Sequence, residues 1–149
     1  MIDYTLIAKI LGPKGVRATA TERSMKQMDN VLATIATVTR WPRVALDRHY
    51  AVSIGNRSFL RVCAEREQLR AQYALQIAIA RCKREPVVVL DRVDHLDTDN
   101  QPTLFSLLHA LCRRPDPPAF LVCGTDLDFR HLNPDGRNHR IDDGVLKAD

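Results

Sequence analysis

Residues 87–97 read VVVLDRVDHLD, and the fold turns on how this stretch is taken. Four apolar residues, Val87 to Leu90, run without alternation into Asp91, and Asp94, Asp97 and Asp99 follow. An unbroken apolar run of that length suits a strand in a sheet covered on both faces. Ligands of parallel sheets bind at the carboxyl ends of the strands, and a carboxylate there is the hard oxygen ligand that a magnesium nucleotide needs. Such a strand is half of a site. The other half is a loop that holds phosphates.

The one glycine-rich candidate for that loop is LGPKGVRAT, residues 11–19. A phosphate loop places a Lys directly after the second Gly of G-x-x-x-x-G, between a strand and a helix. Here Lys14 precedes Gly15 and no strand pattern precedes Leu11, so the segment reads as a turn between two helices. Calcium is excluded as well. Counted from Asp91 or Asp97, the glycine at position six and the glutamate at position twelve of an EF-hand loop are both missing.

Working outward, 2–10 is apolar-rich and reads as helix, and Pro13 with two glycines breaks the chain after it. From Ala18 to Thr39, Met25, Met28, Leu32, Ile35 and Val38 recur every three or four positions, the mark of an amphipathic helix. RVALD reads as a strand. YAVSIGNRSFLRV reads as two more, joined at Gly55-Asn56, residues that tolerate the positive φ of tight hairpins. A helix is expected from Glu65 to Lys83, with Leu69, Tyr73, Ile77 and Ala80 inward and Arg66, Arg70, Arg81, Lys83 and Arg84 on the other face and end. After the PVVVLD strand, a helix near Pro102 to Cys112 buries Leu104, Leu107, Leu108 and Leu111, and AFLVCGT returns as a second strand. Strand–helix–strand spacing implies a parallel crossover, which puts Asp91 and Thr125 at the same sheet end. From Asp126 onward no periodicity remains, and a loose polar tail is expected.

The chain has 149 residues, 45% apolar and 27% charged, as in a soluble globular domain. No window approaches 18 apolar residues, and the N-terminus lacks the plan of a signal peptide; the expected location is the cytoplasm, with no membrane span. Net charge is +4, but the last 24 residues hold four basic and six acidic side chains, leaving +6 on the rest. A basic body is compatible with DNA. Cys63, Cys82, Cys112 and Cys123 form no C-x-x-C pair and read as reduced core thiols. His49, His95, His109, His131 and His139 show no metal-ligand spacing.

The succession LGPKGVR, long helix, hairpin, CAEREQLR opening a helix, ALQIAIAR, VVVLDRVDHLD and LVCGT resembles the C-terminal half of an ABC-type ATPase head of the SMC/RecF/RecN-like group, especially SMC-like proteins of bacteria and prophages. The resemblance covers roughly residues 2–127. It implies an α/β fold: the C-terminal lobe of a P-loop NTPase with parallel core strands, flanking helices and a small β-hairpin over 1–127, then a polar tail over 128–149. It also implies roles. Val87 to Asp91 match the Walker B strand, whose aspartate holds Mg2+ through water. His95-Leu96-Asp97 matches the D-loop, which crosses a dimer interface. Cys63 to Glu67 match the signature motif, so Ala64, Glu65, Arg66 and Glu67 would face the γ-phosphate of ATP on an opposite head, where a helix start favours an anion. Thr125 lies at the switch position.

This chain departs from the pattern at three positions. Ala64 stands where the signature serine belongs, and Arg66 where a small residue belongs. Arg92 replaces the glutamate that polarises the attacking water, and an arginine cannot act as that base. The resemblance therefore implies ATP and Mg2+ as cofactors only when a P-loop-bearing N-terminal half or SMC-like partner is supplied, in a dimer or hetero-complex working on DNA in repair or segregation. ATP hydrolysis would be weak or absent. The competing expectations are a non-enzymatic interaction or DNA-binding module, and a truncated remnant of such an ATPase. A lobe standing alone should expose the surface that its other half covers.

Overall fold

The computed structural model describes residues 16–47, 49–61, 64–125, 130–132, 136–137, 139–142 and 145–148. The expected helix over 2–10, the LGPKG break, Cys63 and the first residues of the tail lie outside them. The chain forms two compact units, residues 1–85 and 86–149. The sequence places its boundary at residue 127; contacts divide the chain between Glu85 and Pro86.

In the first unit, helix α1 spans Val16–Thr39. Leu32 and Ile35 are buried as their spacing requires, but Val38, expected inward, is 51% exposed. It sits in the last turn, where the chain is about to leave the helix. The Thr39 hydroxyl donates to the Ile35 carbonyl at 2.8 Å and accepts from the Trp41 N–H at 3.2 Å. Arg40 then takes a left-handed φ of 57°, turning Trp41 into the core.

Strands β1 (Val44–Leu46), β2 (Val52–Ile54) and β3 (Arg57–Ser58) form an antiparallel sheet in chain order. Val44 pairs with Ile54 and Leu46 with Val52. Gly55 and Asn56 both have positive φ, 51° and 67°, as a two-residue hairpin turn demands. Asp47 shapes the β1–β2 turn: its Oδ1 accepts from the N–H groups of His49 and Ala51 at 2.7 and 2.9 Å.

Helix α2 spans Glu65–Lys83, with the bounds read from the sequence. The predicted face of Leu69, Tyr73, Ile77 and Ala80 is buried, and Ala71, Ala74 and Ala78 widen it. The helix closes with Arg84 at φ 57° and with the Glu85 N–H on the Ala80 carbonyl at 2.9 Å. Arg81 and Lys83 in its last turn complement the helix dipole. α1, β1 and α2 pack together. The void they leave between Leu32, Trp41, Ile54 and Ala74 has about 10 Å3, room for one water at most.

In the second unit, β4 (Val87–Leu90) pairs in parallel with β5 (Ala119–Val122), Val87 opposite Ala119 and Leu90 opposite Val122. The expected crossover helix is α3, Asn100–Cys112. It buries Leu104, Leu107, Leu108 and Leu111 as predicted, and Phe105 with them. Pro102 lies in its first turn, where its missing N–H costs nothing.

One expectation is corrected here. The unbroken VVVL run predicts cover on both faces, yet its burial alternates: Val88 and Leu90 are buried, while Val87 and Val89 are 53% and 49% exposed. Leu121 on β5 is 55% exposed. One face of this two-stranded sheet is open among the described residues.

The stretch expected to be a loose tail contains paired strands. β6 (His139–Asp142) runs antiparallel to β7 (Val145–Ala148), with Asp142 opposite Val145. The sequence between them is Asp143-Gly144, a dipeptide that two-residue turns favour. The charged residues on either side mask that signal.

Among the described residues no helix is long and apolar enough to cross a membrane. Cys82, Cys112 and Cys123 are free thiols. Burial pushes the Cys82 thiol up, against a smaller opposing pull from Arg81, whereas Cys112 is exposed. The thiolate is the reactive form. A disulfide-exchange reagent should therefore label Cys112 well before Cys82, as peptide mapping by mass spectrometry will read. The alternation in β4 makes a second prediction. Leu90→Ala should cost about 2–5 kcal/mol in urea unfolding, while Val89→Thr should stay within about 0.5 kcal/mol.

Candidate functional site

Asp91 leaves the sheet directly after Leu90 and is exposed. The ladder continues past the strands: the Cys123 N–H donates to the Leu90 carbonyl at 2.8 Å. The 3-10 turn Val93–His95 follows, and its Val93 N–H donates to the Cys123 carbonyl at 3.0 Å. Asp91, Arg92 and the turn are thus pinned to the end of β5, two residues before Thr125. Thr125 is exposed at that same end. The sequence predicts Asp91 and Thr125 at the carboxyl ends of neighbouring parallel strands, and that is where they lie.

Arg92 has φ 62° and ψ 34°, a left-handed conformation that costs an ordinary residue about 1–2 kcal/mol. Glycine or asparagine would hold it more cheaply. Its Nη2 lies 2.9 Å from His95 Nδ1. His95 Nε2 in turn lies 3.6 Å from Asp94 Oδ2. The Asp94 side chain is only 17% exposed. This Arg–His–Asp arrangement has no signal in the sequence beyond the presence of the residues.

Leu96 is buried, which fixes the middle of His95-Leu96-Asp97 against the core and leaves Asp97 half-buried at the start of α3. The Asp97 carbonyl accepts from the N–H groups of Asn100 and Gln101 at 2.8 and 3.1 Å, and its Oδ2 accepts from Asn100 Nδ2 at 3.1 Å. Asp99 stands at the N-cap but makes no side-chain cap bond. Its φ and ψ are already helical, −75° and −24°, so its side chain is not placed to reach forward. Asp97 does the anchoring instead.

The other predicted residues belong to the first unit. Ala64 is the N-cap of α2, with extended φ and ψ of −82° and 117° and no side-chain cap bond, as an alanine dictates. Glu65, Arg66 and Glu67 form the first turn. Glu65 and Glu67 suit the positive end of the helix dipole, and by the same field they oppose a phosphate there. Glu67 is engaged by Arg57 from the hairpin, Nη2 to Oε1, at 3.0 Å. Arg70 folds back, its Nε donating to the Arg66 carbonyl at 3.3 Å. Ala64 adds no side-chain hydroxyl to the backbone N–H groups at the start of α2.

Among the described residues no three His, Cys, Asp or Glu side chains converge as a metal site. A magnesium ion bound with a nucleotide takes one or two protein carboxylates and otherwise phosphates and water, and the exposed Asp91 at the sheet end offers one such carboxylate.

No family model matches the sequence, and no curated protein matches it. Solved structures do. An SMC ATPase structure concerned with ATP-driven dimerization and DNA-stimulated activation is 18% identical, with a TM-score of 0.61 over 89% of this chain and 86% of that one. An SMC head bound to the C-winged helix domain of ScpA is 20% identical, with a TM-score of 0.66 over 97% of this chain and 48% of that one. The SMC head domain from Thermotoga maritima is 19% identical, with a TM-score of 0.54 over 87% and 48%. The chain thus spans about half the length of two of the three heads. At these identities the likeness is one of fold: an α/β arrangement with a parallel strand pair, flanking helices and an antiparallel hairpin, similar to part of an SMC ATPase head.

Proposed function

We propose that this chain is the C-terminal half of an SMC-like ATPase head, acting in the cytoplasm in ATP-dependent DNA maintenance such as repair or segregation. It would supply Asp91, Asp97 and Thr125 to a nucleotide site completed by a P-loop-bearing half, and, separately, the Ala64–Glu67 helix start to the γ-phosphate of ATP on an opposite head. The observation that carries this reading is the exposed Asp91 carboxylate at the end of a parallel strand pair, in a chain whose fold is similar to SMC heads. The open face of Val87, Val89 and Leu121 is what a second half would cover.

Bound Mg2+ would neutralise phosphate charge, and Asp91 would orient it through water. Thr125, at the same sheet end, would meet a phosphate oxygen or its water. A guanidinium has donors and no acceptor, so Arg92 takes no proton from water; it holds charge instead. The expected outcome is nucleotide binding with little turnover.

Calorimetry with magnesium-ATP tests this, first on the chain alone and then with a P-loop-bearing SMC-like head half supplied in trans. Binding should appear only in the mixture and vanish with Asp91→Ala. In that mixture Arg92→Glu should raise hydrolysis by roughly 10²-fold, the range of a positioned general base. No binding in either case would remove the enzyme reading.

A second reading, a DNA-binding module, is favoured by how charge is distributed. Residues 1–85 hold 15 Lys and Arg against 7 Asp and Glu, whereas residues 86–149 hold 7 against 11. Arg57, Arg66 and Arg70 gather about the start of α2. Nucleotide-free binding to a labelled DNA duplex should weaken linearly in log K against log salt. Arg66→Ala and Arg70→Ala should each reduce that slope by about 1. A slope unmoved by either variant would place the DNA contacts elsewhere.

A further inference from the structure

The contact between Arg92 and His95 has a fixed direction. A guanidinium carries five N–H donors and no acceptor, so the ring nitrogen 2.9 Å from Arg92 Nη2 has to accept. In that contact Arg92 donates and His95 Nδ1 accepts. His95 Nε2 lies 3.6 Å from Asp94 Oδ2. The backbone agrees with the side chains: the His95 N–H donates to the Arg92 carbonyl at 3.0 Å, closing the turn that brings the two residues together. The left-handed conformation of Arg92 is what lets its side chain turn back over that turn. A strained residue held by its neighbours on both sides is a reason to look for a role.

We propose that His95 is a positioning residue: its Nδ1 accepts from Arg92 and holds the guanidinium at the carboxyl end of β4, where it can receive a phosphate group. Arg92 follows Asp91 directly, so the sheet end offers a carboxylate for a cation and a fixed cation for an anion. A guanidinium fork matches two phosphate oxygens at once, which a lysine in its place would not. The phosphate-holding consequence rests on the nucleotide-site reading above; the positioning does not.

Two measurements separate them. On the isotope-labelled chain alone, long-range proton–nitrogen correlation should show His95 Nδ1 as the acceptor of the Arg92 contact. The Arg92 side-chain N–H signals should exchange slowly with water. His95→Ala should release them, and His95→Gln, whose Oε1 accepts in the same way, should restore the slow exchange, with thermal melts showing that both variants fold. A proton on Nδ1, an imidazolium, or Arg92 exchange unchanged by His95→Ala would overturn the positioning role whatever happens with ATP. In the mixture with the P-loop half, His95→Ala should then weaken ATP binding about 10-fold, the value of a charge-assisted hydrogen bond, and His95→Gln should not. Equal affinity in both variants would overturn the phosphate role. Absence of ATP binding in the unmodified mixture would overturn the nucleotide-site reading and the phosphate role with it, leaving the positioning to the first measurement.

Discussion

The parallel pairing of Val87–Leu90 with Ala119–Val122 is the constraint on which the second unit depends. Each bond in that ladder places the next, through Cys123 to Leu90 and Val93 to Cys123, so Asp91, Arg92 and the turn after them inherit their positions from it. A slip of one residue would exchange the faces: Leu90 would meet solvent and Val89 would enter the core. The buried Leu90, Val93 and Leu96 oppose such a slip, since all three lose their environment together. A parallel pair also needs a long crossover, and α3 provides it with an apolar face rich in leucine. Two strands are few for independent stability. The open face of Val87, Val89 and Leu121 shows the same shortage from the side-chain view.

The two motifs that resemble nucleotide-binding elements share a pattern. In each, regular backbone meets side chains that depart from the resemblance. At the start of α2 the N-cap residue is extended, Ala64 brings no hydroxyl, and Glu65 and Glu67 occupy the positive end of the dipole. At the end of β4 the strand delivers Asp91, and the next residue is a cation. Backbone geometry follows from hydrogen-bond ladders and apolar burial, which many sequences satisfy. Side-chain chemistry rests on single positions, so it is lost or redirected without unfolding the scaffold. Here Arg92 is redirected toward His95.

Ion pairs contribute little to this architecture. Arg43–Asp29 joins the approach to β1 with α1 at 2.7 Å, yet its two side chains are 53% and 50% exposed, and exposed pairs stabilise by at most about 1 kcal/mol. Arg57–Glu67 is more enclosed on the glutamate side and orients the hairpin against the first turn of α2. Packing of α1, β1 and α2 around Leu32, Trp41, Ile54 and Tyr73 stabilises the unit far more, because burying such side chains fully contributes about 1.5–3 kcal/mol each.

Helix positions are the most legible part of the sequence. Glu65–Lys83 is bounded by its apolar spacing and basic end, and Gly55-Asn56 announces its hairpin, because periodicity and positive φ are local properties. Asp91 and Thr125 fall at one sheet end from the strand–helix–strand order alone, which topology restricts to few solutions. Other features lie beyond local pattern. Four consecutive apolar residues carry no period, so which of Val87 to Leu90 face inward depends on what covers each side of the sheet. Val38 fits the helical stripe, but the stripe runs past the point where the chain turns into Trp41. Asp99 has the sequence position of a cap for α3, and Asp97 takes the anchoring role because the 3-10 turn brings it there. The contact of Arg92 with His95 arises only once that turn and a left-handed residue set two side chains face to face, since no spacing rule encodes a backbone conformation that an arginine adopts only under the constraint of its neighbours.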